Sequence, residues 1–235
     1  MVYEMFDLYI EINEIYDETR LKLQNYLAKE YDRIDFTINI SDEEIDIEKK
    51  NDPKMSNAYH EMICILRHIA EEVVDFDAMF LHSAIVKKDD FAYAFLGHSG
   101  SGKSTHAMEW VKYFGESATI INGDKPVVRF LDDGIYAYGS PWCGVEGFNV
   151  NTKAKLKAAC FIKKATKNEI TALDSKEVFN RILDQTVIPK KAKRRIRHFE
   201  LVDRLIKEIR FYNLDCDISK EAVATAYNEM RGEKF

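Results

Sequence analysis

Along the first fifty residues, apolar and polar positions alternate. Leu8, Ile10 and Ile12 stand against Tyr9, Glu11 and Asn13, and Asp35 to Ile40 (DFTINI) repeats the two-residue period. That is the spacing of strands with one buried face, so Tyr3 to Ile47 reads as short strands and turns forming a small sheet or lid. The run from Asp42 to Pro53 is almost wholly polar and ends in a proline; it reads as a solvated connection. The period then changes: Met62, Ile65, Leu66, Ile69 and Val73 recur at helical spacing, predicting a helix over Ser56 to Val74 with Ser56 as its cap.

Two apolar runs follow, Phe80 to Val86 (FLHSAIV) and Phe91 to Leu96 (FAYAFL), separated by the polar Lys87 to Asp90. They predict a hairpin whose second strand feeds a glycine-rich loop. Ser104 to Tyr113 reads as a helix ended by Phe114 and Gly115, and Ala118 to Ile121 as a buried strand. Further strands are expected at Val127 to Phe130, Ile135 to Tyr138 and Ala158 to Ile162, with Asp132 and Asp133 in the turn before Gly134. The last 60 or so residues read as mainly helical: Val178 to Leu183, Phe199 to Ile209, and a final helix opened by Ser219. The expected fold class is α/β, a P-loop core of mixed sheet flanked by helices, preceded by a small α+β part. The expected units are 1–78 and 79–235.

A chain of 235 residues with a net charge of -6 has no general attraction to nucleic acid or to an anionic membrane. The four cysteines lack any zinc-ligand spacing, and Met1 to Leu8 lacks the charged and apolar pattern of a signal peptide. A cytoplasmic protein with free thiols is expected, with neither nucleic acid nor membrane as partner.

The glycine loop carries the chemistry. Gly97, His98, Ser99, Gly100, Ser101, Gly102, Lys103 and Ser104 match G-x-x-x-x-G-K-[ST] without a mismatch. Glycines let the backbone approach phosphates, successive N–H groups turn inward, and the following helix offers its positive end. Gly97, Ser99, Gly100, Ser101, Gly102, Lys103, Ser104 and Thr105 are therefore the candidate nucleotide-binding residues. Lys103 supplies a cation, and Ser104 a hydroxyl for a magnesium ion, which also needs a carboxylate. Asp124, three residues beyond the apolar run ending at Ile121, is the leading candidate; Asp132 and Asp133 fit a hairpin turn better.

Leu81, His82 and Ser83, the strand Phe91 to Leu96, the loop Gly97 to Thr105, and then Asn122, Gly123 and Asp124 together resemble the catalytic domain of HPr kinase/phosphorylase. The likeness to the nucleotide-binding part of ATP-dependent phosphoenolpyruvate carboxykinase is more distant. It covers about Leu81 to Ile162, and the sequence also looks like a less characterised subgroup of HPr-kinase-like proteins. The resemblance implies ATP or a similar nucleotide with Mg2+ as cofactors, Asp124 as base, and His82 near the transferred phosphate. It further suggests a homo-oligomer. The family usually places two aspartates together; here Lys125 follows Asp124. Glu146 is then either the missing metal ligand or an exposed loop residue. The downstream signature for partner recognition and dephosphorylation is missing, which makes HPr itself a poor candidate acceptor.

Other features keep two readings each. Gly139 to Phe148 (GSPWCGVEGF) fits a substrate loop or an anchored turn. His82 fits a strand interior or a catalytic group, and His98 tunes the pocket or packs. The basic cluster of Lys190, Lys191, Lys193, Arg194, Arg195 and Arg197 is a solvated helix face or an anion contact. Two functions follow. One is an ATP-dependent kinase acting on a serine hydroxyl of a peptide or on a small metabolite. The other is a nucleotide-gated regulator that transfers nothing.

Overall fold

The computed structural model describes residues 1–232; the last three positions of the 79–235 unit lie outside them. It holds a mixed α/β arrangement of a three-stranded and a nine-stranded sheet. In the smaller sheet β1 (Val2–Met5) pairs antiparallel with β2 (Leu8–Asn13). The chain then forms α1 (Asp17–Leu23) and returns as β3 (Phe36–Asn39), parallel to β2. Tyr3, Met5, Leu8, Ile10 and Ile12 are buried, as the two-residue period requires.

The polar run after β3 is not a connection. It is α2 (Asp42–Asn51), opened by a reciprocal cap in which Ser41 Oγ accepts from the Glu44 N–H and the Glu44 carboxylate accepts from the Ser41 N–H. Acids fill its first turn and Lys49 and Lys50 its last, which complements the helix dipole. Such a helix needs few apolar residues, and Ile45 is its one buried hydrophobic side chain. Next comes α3 (Asn57–Glu72), capped as expected by Ser56 Oγ, which accepts from the Tyr59 N–H.

The run Phe80 to Val86 is split rather than continuous: β4 (Ala78–Phe80) pairs with β8 (Val127–Leu131), while β5 (Ser83–Lys88) pairs with β6 (Phe91–Leu96) and β7 (Ala118–Asn122). Between them the Leu81 N–H bonds to Pro126 O and the His82 N–H to Gln185 O, so the chain changes partners there. Helix α4 (Lys103–Phe114) links β6 to β7. The β8 strand turns through Asp132 and Asp133 into β9 (Gly134–Tyr138).

Strand β10 (Lys153–Lys164) is longer than the apolar segment 158–162, because Ala154 and Leu156 continue the alternation between lysines. The chain continues as β11 (Glu169–Ala172), α5 (Ser175–Ile182), α6 (Ala192–Glu208), β12 (Arg210–Cys216) and α7 (Lys220–Met230). Within the tail read as mainly helical, β12 is a strand the sequence reading did not place, and β11 precedes it as a second one. Tyr212, Leu214 and Cys216 are buried while Asn213 and Asp215 are half-buried, a two-residue period overlooked among helices.

Direction within the large sheet sets where chemistry can occur. Strands β6, β10 and β12 are mutually parallel, and β7 runs with them because both β6 and β7 are antiparallel to β5. The carboxyl ends of β6, β7, β10 and β12 and the start of β5 therefore share one edge, the usual place for ligands in such sheets. One sheet face is covered by α5 and α6 through Val178, Ile182, Leu201, Val202 and Leu205. The other is covered by α4 and α7, where Trp110 packs against Tyr93, Phe95, Phe114 and Tyr227. That aromatic cluster holds the start of α4 against the end of β6. No helix among the described residues is long and apolar enough to cross a membrane, and all four cysteines are free.

Candidate functional site

The loop from Gly97 to Gly102 leaves the end of β6 in a conformation that only glycine adopts freely: φ is 141° at Gly97, 78° at Gly100 and 107° at Gly102. Gly97 is needed for space too, since a Cβ there would lie 2.7 Å from Ser101 Oγ. Gly102 is the N-cap of α4, and no side chain caps the helix. Its first-turn N–H groups are the donors a helix leaves without intrahelical partners.

Lys103 is only 7% exposed. Its ammonium donates to Gly97 O at 2.7 Å and His98 O at 3.2 Å, closing the loop over its own side chain. Burial lowers its pKa, and nearby Asp124 and Glu146 oppose that shift. His98 contributes that carbonyl while the residue is exposed. His106 is buried, with Nε2 accepting from Trp110 Nε1 at 3.0 Å; it belongs to the aromatic packing.

Asp124 is placed by an Asx turn. Asn122 Oδ1 accepts from the N–H groups of Asp124 and Lys125, each at 2.9 Å, and Asn122 Nδ2 donates to Ser140 O at 2.9 Å. Asn122 and Ser140 are fully buried, so the turn is anchored to the 140–149 segment. Gly123 permits that approach, because a Cβ would come within 2.9 Å of Cys143 O.

Across from it, His82 Nε2 lies 3.1 Å from Asp124 Oδ1, and Lys125 Nζ lies 2.9 Å from the same oxygen. Burial pushes the Asp124 carboxyl upward, but the His82 hydrogen bond and the Lys125 charge outweigh it and hold the group down at about 2. Lys125 is thus an ion-pair partner of Asp124.

A cleft of about 410 Å³ brings these groups together. Ser99, Gly100, Gly102, Lys103, Ser104 and Thr105 form one wall, and His82, Gly123, Asp124 and Glu146 the other. Gly97 and Ser101 do not line it; they shape the loop behind it. Glu146 is exposed on the turn between Gly144 and Gly147, both at positive φ. In the same segment Trp142 is an anchor: Nε1 donates to Met62 O at 2.9 Å, and its ring packs edge-on against Phe80.

For a metal, the cleft offers the hard oxygen donors of Ser104, Asp124 and Glu146, the donor type that suits magnesium. Among the described residues no three His, Cys, Asp or Glu side chains form a group able to hold a metal ion alone, so an ion there would share its coordination with phosphate oxygens and water.

Two residues of this edge were not among the candidates read from the sequence. Gln185, 4% exposed, accepts from the Gly97 N–H through Oε1 at 3.3 Å while its backbone O accepts from the His82 N–H at 2.6 Å. It ties both walls together. Lys164, the last residue of β10, also lines the cleft; its signal was the change from apolar to charged at the end of AACFIKK.

The basic cluster is elsewhere. Arg194 forms a fork onto Glu72 at 2.5 and 2.6 Å and reaches Asp75, and Arg197 pairs with Asp77 and Glu200. Arg195 donates to the Pro189 and Lys190 carbonyls. The cluster fastens α6 to the end of α3, and none of its six members lines the cleft.

No family model matches the chain, and no curated protein does either. Among solved structures the chain is similar to the Hpr(Ser) kinase/phosphatase from Coxiella burnetii, with 8% sequence identity, 63% of this chain and 94% of that chain covered, and a TM-score of 0.36. At that level of likeness, function has to be argued from the cleft itself.

Proposed function

We propose that this protein is an ATP-dependent phosphotransferase that moves the terminal phosphoryl group to a hydroxyl of a peptide serine or a small metabolite. The observation that carries the reading is the Asp124 carboxylate, held ionised by His82 and Lys125, on the wall facing Lys103 and the open N–H groups of α4.

The loop amides and the helix end bind the phosphates, and Lys103 turns from its two loop carbonyls toward the terminal oxygens. Ser104 and Asp124, with Glu146 lining the same cleft, would hold a magnesium ion, which would supply charge neutralisation to the phosphates. Asp124 accepts the hydrogen bond of the acceptor hydroxyl, orienting its oxygen in line, and takes its proton as the new bond forms. A carboxyl held at about 2 is a weak base at rest, so its role is orientation first and proton acceptance late. His82 fixes which carboxylate oxygen faces the acceptor.

The test is transfer of label from terminal-phosphate-labelled ATP to peptide and metabolite fractions of a soluble extract, with Lys103→Ala and Asp124→Asn as controls. Label moving only with the native protein supports the kinase. The Lys125 contact on Asp124 favours a second reading, a nucleotide-gated regulator in which that ion pair replaces proton transfer. It predicts tight ATP binding with no labelled product.

A further inference from the structure

The cleft continues past the helix N terminus. A second cavity of about 400 Å³ lies on the other side of the first turn of α4, bounded by Ile162, Ala165, Cys216 and Ile218 at the ends of β10 and β12. Gly102, Thr105 and Lys164 line both spaces. His82, Asp124 and Glu146 border only the first, Ile162 and Ile218 only the second. Lys164 stands at the boundary between the two.

Strand periodicity explains its position. Ala158, Cys160 and Ile162 pack into the core beneath α4 and α7, and Lys164 is the next residue on that face, where the strand ends. Its Cε lies 3.8 Å from where a Cβ on Gly102 would be, so the exposed side chain runs beside the loop. The ammonium has no carboxylate within ion-pair distance among the described residues. Of the other lysines around the cleft, Lys125 is already paired with Asp124. The first cleft sets the carboxylates of Asp124 and Glu146 against Lys103 and Lys164, so a polyphosphate needs every cation there.

We propose that Lys164 is a second phosphate-binding cation that holds the diphosphate end of the nucleotide, with the nucleoside passing into the cavity walled by Ile162 and Ile218. This rests on the phosphotransfer reading above. In that transfer the acceptor oxygen bonds to the terminal phosphorus, and the bond from that phosphorus to its bridging oxygen breaks. The bonding pair stays on the diphosphate and the acceptor proton goes to Asp124. Lys164 faces the charge that builds on the departing diphosphate.

The test is calorimetric binding of ADP to the native protein, Lys164→Ala and Lys164→Arg. The alanine variant is expected to weaken ADP by about tenfold, the size of one lost charge-assisted contact, and to flatten the salt dependence of binding. The arginine variant restores most of the affinity, and the melting temperature stays put because the residue is exposed at a strand end. Unchanged ADP affinity and salt dependence in Lys164→Ala would overturn the assignment while leaving the phosphate loop standing. A native protein that binds neither ADP nor ATP would overturn both.

Discussion

His82 and Asp124 meet at 3.1 Å although 41 positions separate them in sequence, because β5 starts at the sheet edge where β7 ends. Lys125 shares the same carboxylate oxygen at 2.9 Å. Replacing Asp124 by Asn keeps the shape and removes the charge. We expect turnover to fall by about 10²-fold or more, measured by steady-state kinetics. Normal turnover in Asp124→Asn would eliminate Asp124 as the proton acceptor. His82→Gln, which preserves a donor toward the carboxylate, should lower kcat less than His82→Ala does.

Gly123 tests the wall opposite the loop. A methyl group there would sit 2.9 Å from Cys143 O, so Gly123→Ala must push the 140–149 segment outward. The expected cost is about 1–3 kcal/mol of stability, read by denaturant unfolding, together with a raised KM. A variant as stable as the native protein would mean that the segment yields freely.

Two buried histidines set the acid limit of stability. Burial lowers His106 and His198 from the usual value near 6.5 to about 4. The unfolded chain therefore binds these protons first, and stability present above pH 6.5 is lost as pH falls toward 4. At pH 5 the loss is on the order of 2 kcal/mol per ring. The double variant His106→Gln/His198→Gln should show a smaller drop in melting temperature between pH 7 and pH 5 than the native protein, and an equal drop would refute the assignment.

Arg194 fastens α6 to α3 through Glu72 and Asp75. Because these acids are partly exposed, Arg194→Met should cost only about 1 kcal/mol, a difference that shrinks in 1 M salt. A cost that ignores salt would place the effect in packing instead.

The elements around the glycine loop were legible because their signals are local: the strand Phe91 to Leu96, the glycines, and the apolar run before Asn122 are each contiguous. The split at Leu81 and His82 was not legible, since it depends on Pro126 and Gln185 arriving from far along the chain. Helix α2 was hidden because its stability comes from a cap and charge order rather than from an apolar stripe. The path of β12 was hidden because its strand period is only five residues long between two helices. Asp124 was placed by its position after β7, yet its contact with His82 and the anchoring of its turn to Ser140 belong to tertiary structure alone.

The forked pairing of β10 also governs when the edge is complete. Its first residues pair with β9, close behind in sequence, whereas Ala158 to Lys164 pair with Arg210 to Cys216 from the tail. As the chain emerges from the ribosome, the segments carrying the glycine loop, His82 and Asp124 appear well before the wall carrying Cys216 and Ile218. Long-range parallel pairing is slow to form, so the side of this edge beyond Lys164 is the last to close.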